Sequence, residues 1–389
     1  MNPRHPVWAR IAEIANAPSN WPMAPEEWER QAAAKLAQGP LGFIEGGAGC
    51  LSTVRENREA LERWRLVPRI LGSALERDIS VRICGTASPV PFFLAPIGVE
   101  TIAHDEGELA VARAAEACGV PFVVATPSSF TMEEIAREMP KTPRWFQLYF
   151  VNDREIVRNF IRRAEASGYS AIVVTLDTPM LGWRERDLGN QRYLPFHTGA
   201  GLANFVTDPV FRARLGCDPH DDLQRTVAAF LELFNSPKNF DLSWDDMRWL
   251  RGITKLPLLA KGVLAAADAR RAFDEGFDGV IVSNHGGRQV DGAIGAIDAL
   301  VDIRAALGRA PVVMMDGGIR RGSDVIKAIA LGADAVLLGR PYIHGLAVGG
   351  REGVEAVLLN LMADTYRTLG LCGRKALSDL AASAVARRT

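Results

Sequence analysis

The sequence predicts a (β/α)8 barrel with an N-terminal helical segment and a long lid after its fourth strand. Three observations carry that prediction. From residue 91 onward, short apolar runs alternate with amphipathic helical stretches, the pattern of parallel strands joined by crossovers. Eight such runs occur, the number that closes a barrel. Each run is too apolar for a half-exposed strand and suits a strand buried on both faces.

Taken in order, residues 1–90 read as helices and connections packing on the barrel. Trp28, Ala32, Leu36 and Phe43 recur at near-helical spacing until Gly46-Gly47-Ala48-Gly49 breaks the pattern, and a second helix follows Thr53 with Asn57, Ala60, Leu61 and Trp64 on nearby turns. The barrel domain is expected over 91–375. Its strands are expected at 91–95, 121–125, 144–149, 170–175, 257–261, 278–283, 311–315 and 334–338, with helices at 106–118, 153–167, 265–275, 321–331 and 350–368 among those between them. One connection breaks the rhythm: about 80 residues separate Thr175 from Leu258, and loops of that length are functional or disordered. Its aromatics (Trp183, Tyr193, Phe196, Phe205) and a helix near 221–234 predict an ordered lid over about 185–255. Residues 376–389 are expected as a tail.

Composition excludes several classes of function. The 389 residues are 48% hydrophobic and 23% charged with a net charge of −1, so no basic imbalance points to nucleic acid or a membrane surface. No run approaches the roughly eighteen apolar residues that span a bilayer, and the N-terminus shows no secretory signal. Five cysteines without C-x-x-C spacing suit a reducing compartment and no metal cage. A cytoplasmic enzyme is the expectation.

Barrel active sites lie at the C-terminal ends of the strands. There the first strand delivers Pro96-Ile97-Gly98, the third Gln147 and Tyr149, the fourth Thr175 and Asp177, and the fifth Lys261. The sixth delivers Ser283-Asn284-His285-Gly286-Gly287-Arg288. The seventh and eighth deliver Asp316-Gly317-Gly318-Ile319-Arg320 and Gly339-Arg340, a cradle for a phosphate of backbone N–H groups and forked donors. In the sixth turn the glycines set an imidazole beside a guanidinium. His285 can take a proton near neutral pH and Arg288 can clamp a carboxylate, a pairing suited to an acid whose neighbouring carbon must lose hydrogen.

The stretches SNHGGRQVDG, MDGGIRRGSDVIKAIALGADAVLLGRP, LAPIGVETIAHDEGELAVARAA and FQLY resemble the FMN-dependent 2-hydroxy-acid dehydrogenase and oxidase family from about residue 30 to about 375. WFQLYFVND, GWRERDL, LANFVTDPVF and the long lid are similar to its lactate 2-monooxygenase branch. The resemblance implies FMN as cofactor, a 2-hydroxy acid as substrate, O2 as acceptor and a homo-tetramer or octamer. It implies His285 as the base, Asp177 supporting its imidazolium, Arg288 and Arg184 on the substrate carboxylate, and Tyr149 near the substrate oxygen. Gln147, Thr175 and Lys261 would meet the flavin ring, Pro96-Ile97-Gly98 would lie against it, and Asp316 to Arg320 with Gly339-Arg340 would hold the phosphate.

Two positions depart from the family pattern. Phe43 stands where a tyrosine normally donates to the substrate, and Ala125, followed by Thr126, stands where a serine normally lies near the flavin. Both changes predict a more apolar pocket and a substrate larger or greasier than lactate, or weaker binding of small hydroxy acids; a water replacing the lost hydroxyl is the neutral alternative. Oxidation to the 2-oxo acid, with or without oxidative decarboxylation behind the lid, is the expected reaction. A non-redox FMN-dependent isomerase is the alternative on the same barrel.

Overall fold

A computed structural model describes residues 10, 20–72, 77–189, 193–234, 236, 239 and 241–388. Eight parallel strands close into a barrel in chain order: Phe92–Leu94, Phe122–Val124, Arg144–Leu148, Ile172–Thr175, Leu258–Val263, Gly279–Val282, Val312–Met315 and Ala335–Leu338. All eight fall on the expected apolar runs. Alternate residues face inward, so Phe93, Val123, Trp145, Val173, Leu259, Ile281, Met314 and Leu337 fill the barrel while their neighbours pack against the helices.

The N-terminal helical pattern divides in two. Trp28 and Ala32 lie in Pro25–Lys35 and Phe43 in Gln38–Glu45, with Leu36 extended between them. The helix after residue 51 runs Ser52–Arg63; Asp291 accepts from the Cys50 and Ser52 N–H groups at its start, at 3.0 and 2.7 Å. A hairpin, Val81–Ile83 with Thr86–Ser88, was not foreseen because each strand is only three residues long. It closes the bottom of the barrel: Ile83 joins the inner core, and the Thr86 hydroxyl accepts from Trp145 Nε1 at 2.9 Å.

The last helix begins earlier than expected, at Arg340, and continues to Leu371 across a break at Gly349-Gly350. Residues after 375, expected as a tail, return to the body: Val385–Arg387 pairs antiparallel with Trp64–Leu66. In the insertion after the fourth strand, short helices lead to Leu223–Phe234. Phe234, Phe230, Phe205, Phe160 and Phe146 form a chain with centroid separations of 5.2, 4.9, 5.1 and 6.3 Å, so aromatic packing runs from the insertion to the third barrel strand.

Candidate active site

The turn after the sixth strand is built from hydrogen bonds. Asn284 and Asn57 exchange amide bonds at 2.8 and 2.7 Å, and Asn284 Oδ1 also accepts from Gly287 N. This cross-brace lets the N-terminal helix hold the turn while Gly286 and Gly287 take positive φ. His285 itself sits at φ +57°, a left-handed conformation that costs a side-chain-bearing residue of order 1–3 kcal/mol. Its backbone N–H donates to Ser283 Oγ at 3.0 Å.

His285 Nδ1 lies 2.9 Å from Asp177 Oδ1, which leaves Nε2 as the nitrogen facing the cavity, 3.5 Å from the Tyr149 hydroxyl. Burial, helped by the Lys261 and Arg184 charges, holds the imidazole below its ordinary pKa even though Asp177 pulls the other way. Burial alone would raise the Asp177 pKa; His285 and Lys261 outweigh it and keep the carboxylate ionised. The Tyr149 hydroxyl is pushed up by burial and stays protonated. Glycine at 262 gives Asp177 its room. The fifth strand bulges between Lys261 and Val263, Gly262 takes φ +97°, and a Cβ there would lie 2.5 Å from the Asp177 Cβ.

Lys261 is 4% exposed and pairs with Asp316 at 3.1 Å; Ser283 Oγ accepts from it at 3.0 Å and donates to Asp316 at 2.7 Å. Burial opposes its charge, but Asp316 and Asp177 raise its pKa, so the ammonium is fixed. Arg288 Nη1 donates to the Phe43 and Gly46 carbonyls at 2.6 and 2.8 Å, and its guanidinium lies 5.0 Å over the Phe43 ring. Its other N–H groups have no protein partner among the described residues. Arg184 donates to the Arg288 carbonyl and to Gln289 Oε1, both at 3.2 Å. Arg340 spends three nitrogens on the carbonyls of Ile44, Gly286 and Gly46.

One cavity is lined by Phe43, Pro96, Ile97, Gly98, Tyr149, Arg184, Lys261, His285, Arg288, Asp316, Gly317, Gly318, Arg320, Gly339 and Arg340. Asp177 supports it through His285. Gln147, Thr175 and Ala125 do not line it: the Gln147 amide accepts from Thr126 N at 3.0 Å and donates to Thr175 Oγ1 at 2.9 Å. Ala125 is 3% exposed and off the wall, and the Thr126 hydroxyl is committed to the Gln147 carbonyl and the Tyr149 N–H.

The cavity is short of negative charge. Apart from Asp187, 4.0 Å from Arg184, no carboxylate among the described residues reaches ion-pair distance of Arg184, Arg288, Arg320 or Arg340. Burial lowers the pKa of all four, Arg320 to about 10, with the neighbouring Arg340 adding to the effect. Beside Arg320 the backbone opens at Gly317 (φ +102°) and Gly318 (φ +85°), where a Cβ at 318 would lie 2.6 Å from the Asn57 carbonyl. A cofactor bearing a phosphate and a substrate bearing a carboxylate both fit this surplus of desolvated cation.

Sequence reasoning missed several contributors. Thr178 donates to Asp177 Oδ1 at 3.0 Å and lies 3.3 Å from His285 Nδ1. Gln289 donates to the Asp177 and Met180 carbonyls and accepts from Gly182 N, tying the fourth-strand turn to the sixth. Both are sequence neighbours of chosen residues, and that adjacency was the available signal. Leu181, Leu194, Phe196 and Phe234 also line the cavity, and nothing in their spacing announced it.

The FMN-dependent dehydrogenase family model matches residues 32–387. The chain is 42% identical over 367 residues to an L-lactate oxidase of Lysinibacillus sphaericus, covering 94% of this chain and 92% of that protein. It is 37% identical over 349 residues to human 2-hydroxyacid oxidase 1, covering 89% and 92%. A solved mandelate oxidase bound to (S)-4-hydroxymandelic acid superposes with a TM-score of 0.82 at 38% identity, covering 94% of this chain and 98% of that one. No described helix is long and apolar enough to cross a membrane. With the barrel, the cationic cavity and the braced histidine in place, the chain belongs to the FMN-dependent dehydrogenase family and is an FMN-dependent oxidoreductase.

Proposed function

We propose that this protein oxidises an (S)-2-hydroxy acid to the 2-oxo acid and passes the electrons to O2. The single observation that carries the reading is the His285–Asp177 pair at 2.9 Å, set in a cavity with two arginines that can take a carboxylate. FMN, when bound, supplies the two-electron acceptor that no side chain here provides. Arg320, Gly317, Gly318, Gly339 and Arg340 would hold its phosphate, and Lys261 would place a fixed positive charge beside its ring.

Arg288 and Arg184 orient the substrate carboxylate, which sets carbon 2 and its hydroxyl toward His285 Nε2 and the Tyr149 hydroxyl. Neutral His285 takes the proton leaving the substrate. Asp177, ionised and hydrogen-bonded at Nδ1, stabilises the resulting imidazolium and fixes the tautomer that leaves Nε2 free. Such a base contributes about 10²–10⁴-fold.

The reading is tested by mixing the anaerobic FMN-loaded protein with a panel of (S)-2-hydroxy acids; flavin bleaching supports it, and no bleaching with any acid favours the isomerase alternative. A second outcome, oxidative decarboxylation of the retained 2-oxo acid by peroxide, is favoured by the insertion that lends Leu194, Phe196 and Phe234 to the cavity wall. Oxygen consumption with and without catalase separates the two, since equimolar peroxide release rules out decarboxylation in place.

A further inference from the structure

Carbon 2 of a 2-hydroxy acid carries a carboxylate, a hydroxyl, a hydrogen and a side chain. The arginines, His285 and Tyr149 account for the polar groups, and the side chain is left for the apolar part of the cavity. The barrel mouth gives that part aliphatic residues such as Ile97 and Ile102, and the insertion adds two aromatic rings, Phe196 and Phe234. The Phe234 ring meets Tyr149 edge-on at 5.2 Å, Phe196 lies 6.3 Å from Phe234 at 40°, and Leu194 and Leu181 line the same cavity. On the reacting side, the Phe43 ring lies under the Arg288 guanidinium.

We infer that Phe196 and Phe234, with Leu181 and Leu194, form the side-chain subsite and select a 2-hydroxy acid bearing an aryl group over one bearing a methyl. This rests on the 2-hydroxy-acid reading above. A methyl group leaves most of such a wall without contact, whereas an aryl ring buries its faces and gains edge-to-face contacts with two phenylalanines. The wall is also anchored. Phe234 is packed on Phe230, which is fully buried and continues through Phe205 and Phe160 to the barrel, so closing the subsite around a small side chain would disturb that packing. The apolar character expected from Phe43 is thus extended by rings from the insertion.

The test is steady-state kinetics and anaerobic flavin reduction of the FMN-loaded protein with (S)-lactate, (S)-2-hydroxy-4-methylpentanoate, (S)-2-hydroxy-3-phenylpropanoate and (S)-2-hydroxy-2-phenylacetate. At least one aryl acid should exceed lactate in kcat/KM by tenfold or more, about 1.4 kcal/mol, and exceed the branched alkyl acid as well. In Phe234→Ala and Phe196→Ala the aryl-to-lactate ratio should fall at least tenfold. Phe234→Leu, which keeps volume against Tyr149 and Phe230, supplies the ratio where the alanine variant does not fold, and there it should fall by a smaller factor. A merely structural role would lower both substrates together and leave the ratio unmoved. Lactate or the alkyl acid matching the aryl acids, or an unmoved ratio in every variant, overturns the subsite while leaving hydroxy-acid oxidation standing. If no acid reduces the flavin, the underlying reading fails, and that result is distinct from a failure of selectivity.

Discussion

The turn after the sixth strand and the insertion after the fourth face the same cavity but are built by different forces. The turn is made of short directional bonds: Asn284 to Asn57, His285 N to Ser283, Ser283 to Asp316, and His285 Nδ1 to Asp177. The insertion is held by rings, through the fully buried Phe205 and Phe230. Directional bonds hold a reacting atom to within fractions of an ångström even where the backbone is strained, as at His285. Packing supplies area and shape and tolerates exchange among residues of similar volume. If the proposed reaction and subsite hold, the first region governs chemistry and the second selection, and substitutions in the two should separate cleanly.

The largest effect expected is on the bonded side. His285→Ala should lower kcat by about 10²–10⁴-fold while FMN stays bound, because the side chain contributes the base and nothing to the phosphate cradle. Turnover within threefold of the parent would remove His285 from its assigned role. The same residue sets a pH dependence. The reaction needs neutral imidazole, so kcat/KM should rise as His285 loses its proton and then level off. Burial places that midpoint below the ordinary value of 6.5, which predicts a flat profile through neutrality. An acid limb centred above pH 7 would contradict the burial argument.

On the packed side, Phe230→Ala should cost about 3–5 kcal/mol, the range for emptying a buried phenyl site. Thermal unfolding of the FMN-loaded protein reads it, and a loss under 1 kcal/mol would mean that the insertion is not tied to the barrel through its rings. A smaller effect comes from a third place, the carboxyls of Glu100 and Glu108. Both are buried, and burial raises both pKa values, with Glu108 adding to the shift at Glu100. A group whose folded pKa lies above its unfolded value contributes stability that is complete below about 4.5 and is lost as pH rises through the folded value. Glu100→Gln should flatten the decline in Tm from acid to alkaline pH, and an unchanged slope would show that Glu100 does not drive it.

Much of this molecule was legible in the sequence, and unevenly so. All eight strands could be placed because strands buried on both faces write themselves as apolar runs. His285, Arg288, Lys261 and the glycines at 317 and 318 could be chosen because barrel geometry says where strand ends point. The three-residue strands of the 81–88 hairpin are too short to show a period, and the return of Val385–Arg387 to Trp64–Leu66 is a pairing across more than 300 residues that no local pattern carries. The wall contributed by Phe196 and Phe234 was hidden for a similar reason. Their aromatic character was visible, but which rings face the cavity and which face the barrel depends on how the insertion folds back.

The finest test of the bonded side is Thr178, whose hydroxyl sits between the two members of the proton-handling pair. It donates to the Asp177 oxygen that also meets His285 Nδ1, and so competes mildly with the imidazole for that acceptor while holding the carboxylate in place. Thr178→Val keeps the shape and removes the donor. With one neutral-to-charged hydrogen bond lost, about 1.5–3 kcal/mol is the upper range for Asp177 orientation. The compensating gain is that Asp177 Oδ1 is left to His285 alone, which strengthens its hold on the imidazolium. The two consequences oppose each other on rate and on titration: a less shared carboxylate raises the His285 pKa and a poorly oriented one lowers it, and because valine keeps the shape the first prevails. The expected result is a drop in kcat of less than tenfold together with an acid limb moved to higher pH. A limb moved to lower pH would mean that Thr178 supports the imidazolium, by holding Asp177 or through its 3.3 Å contact with Nδ1.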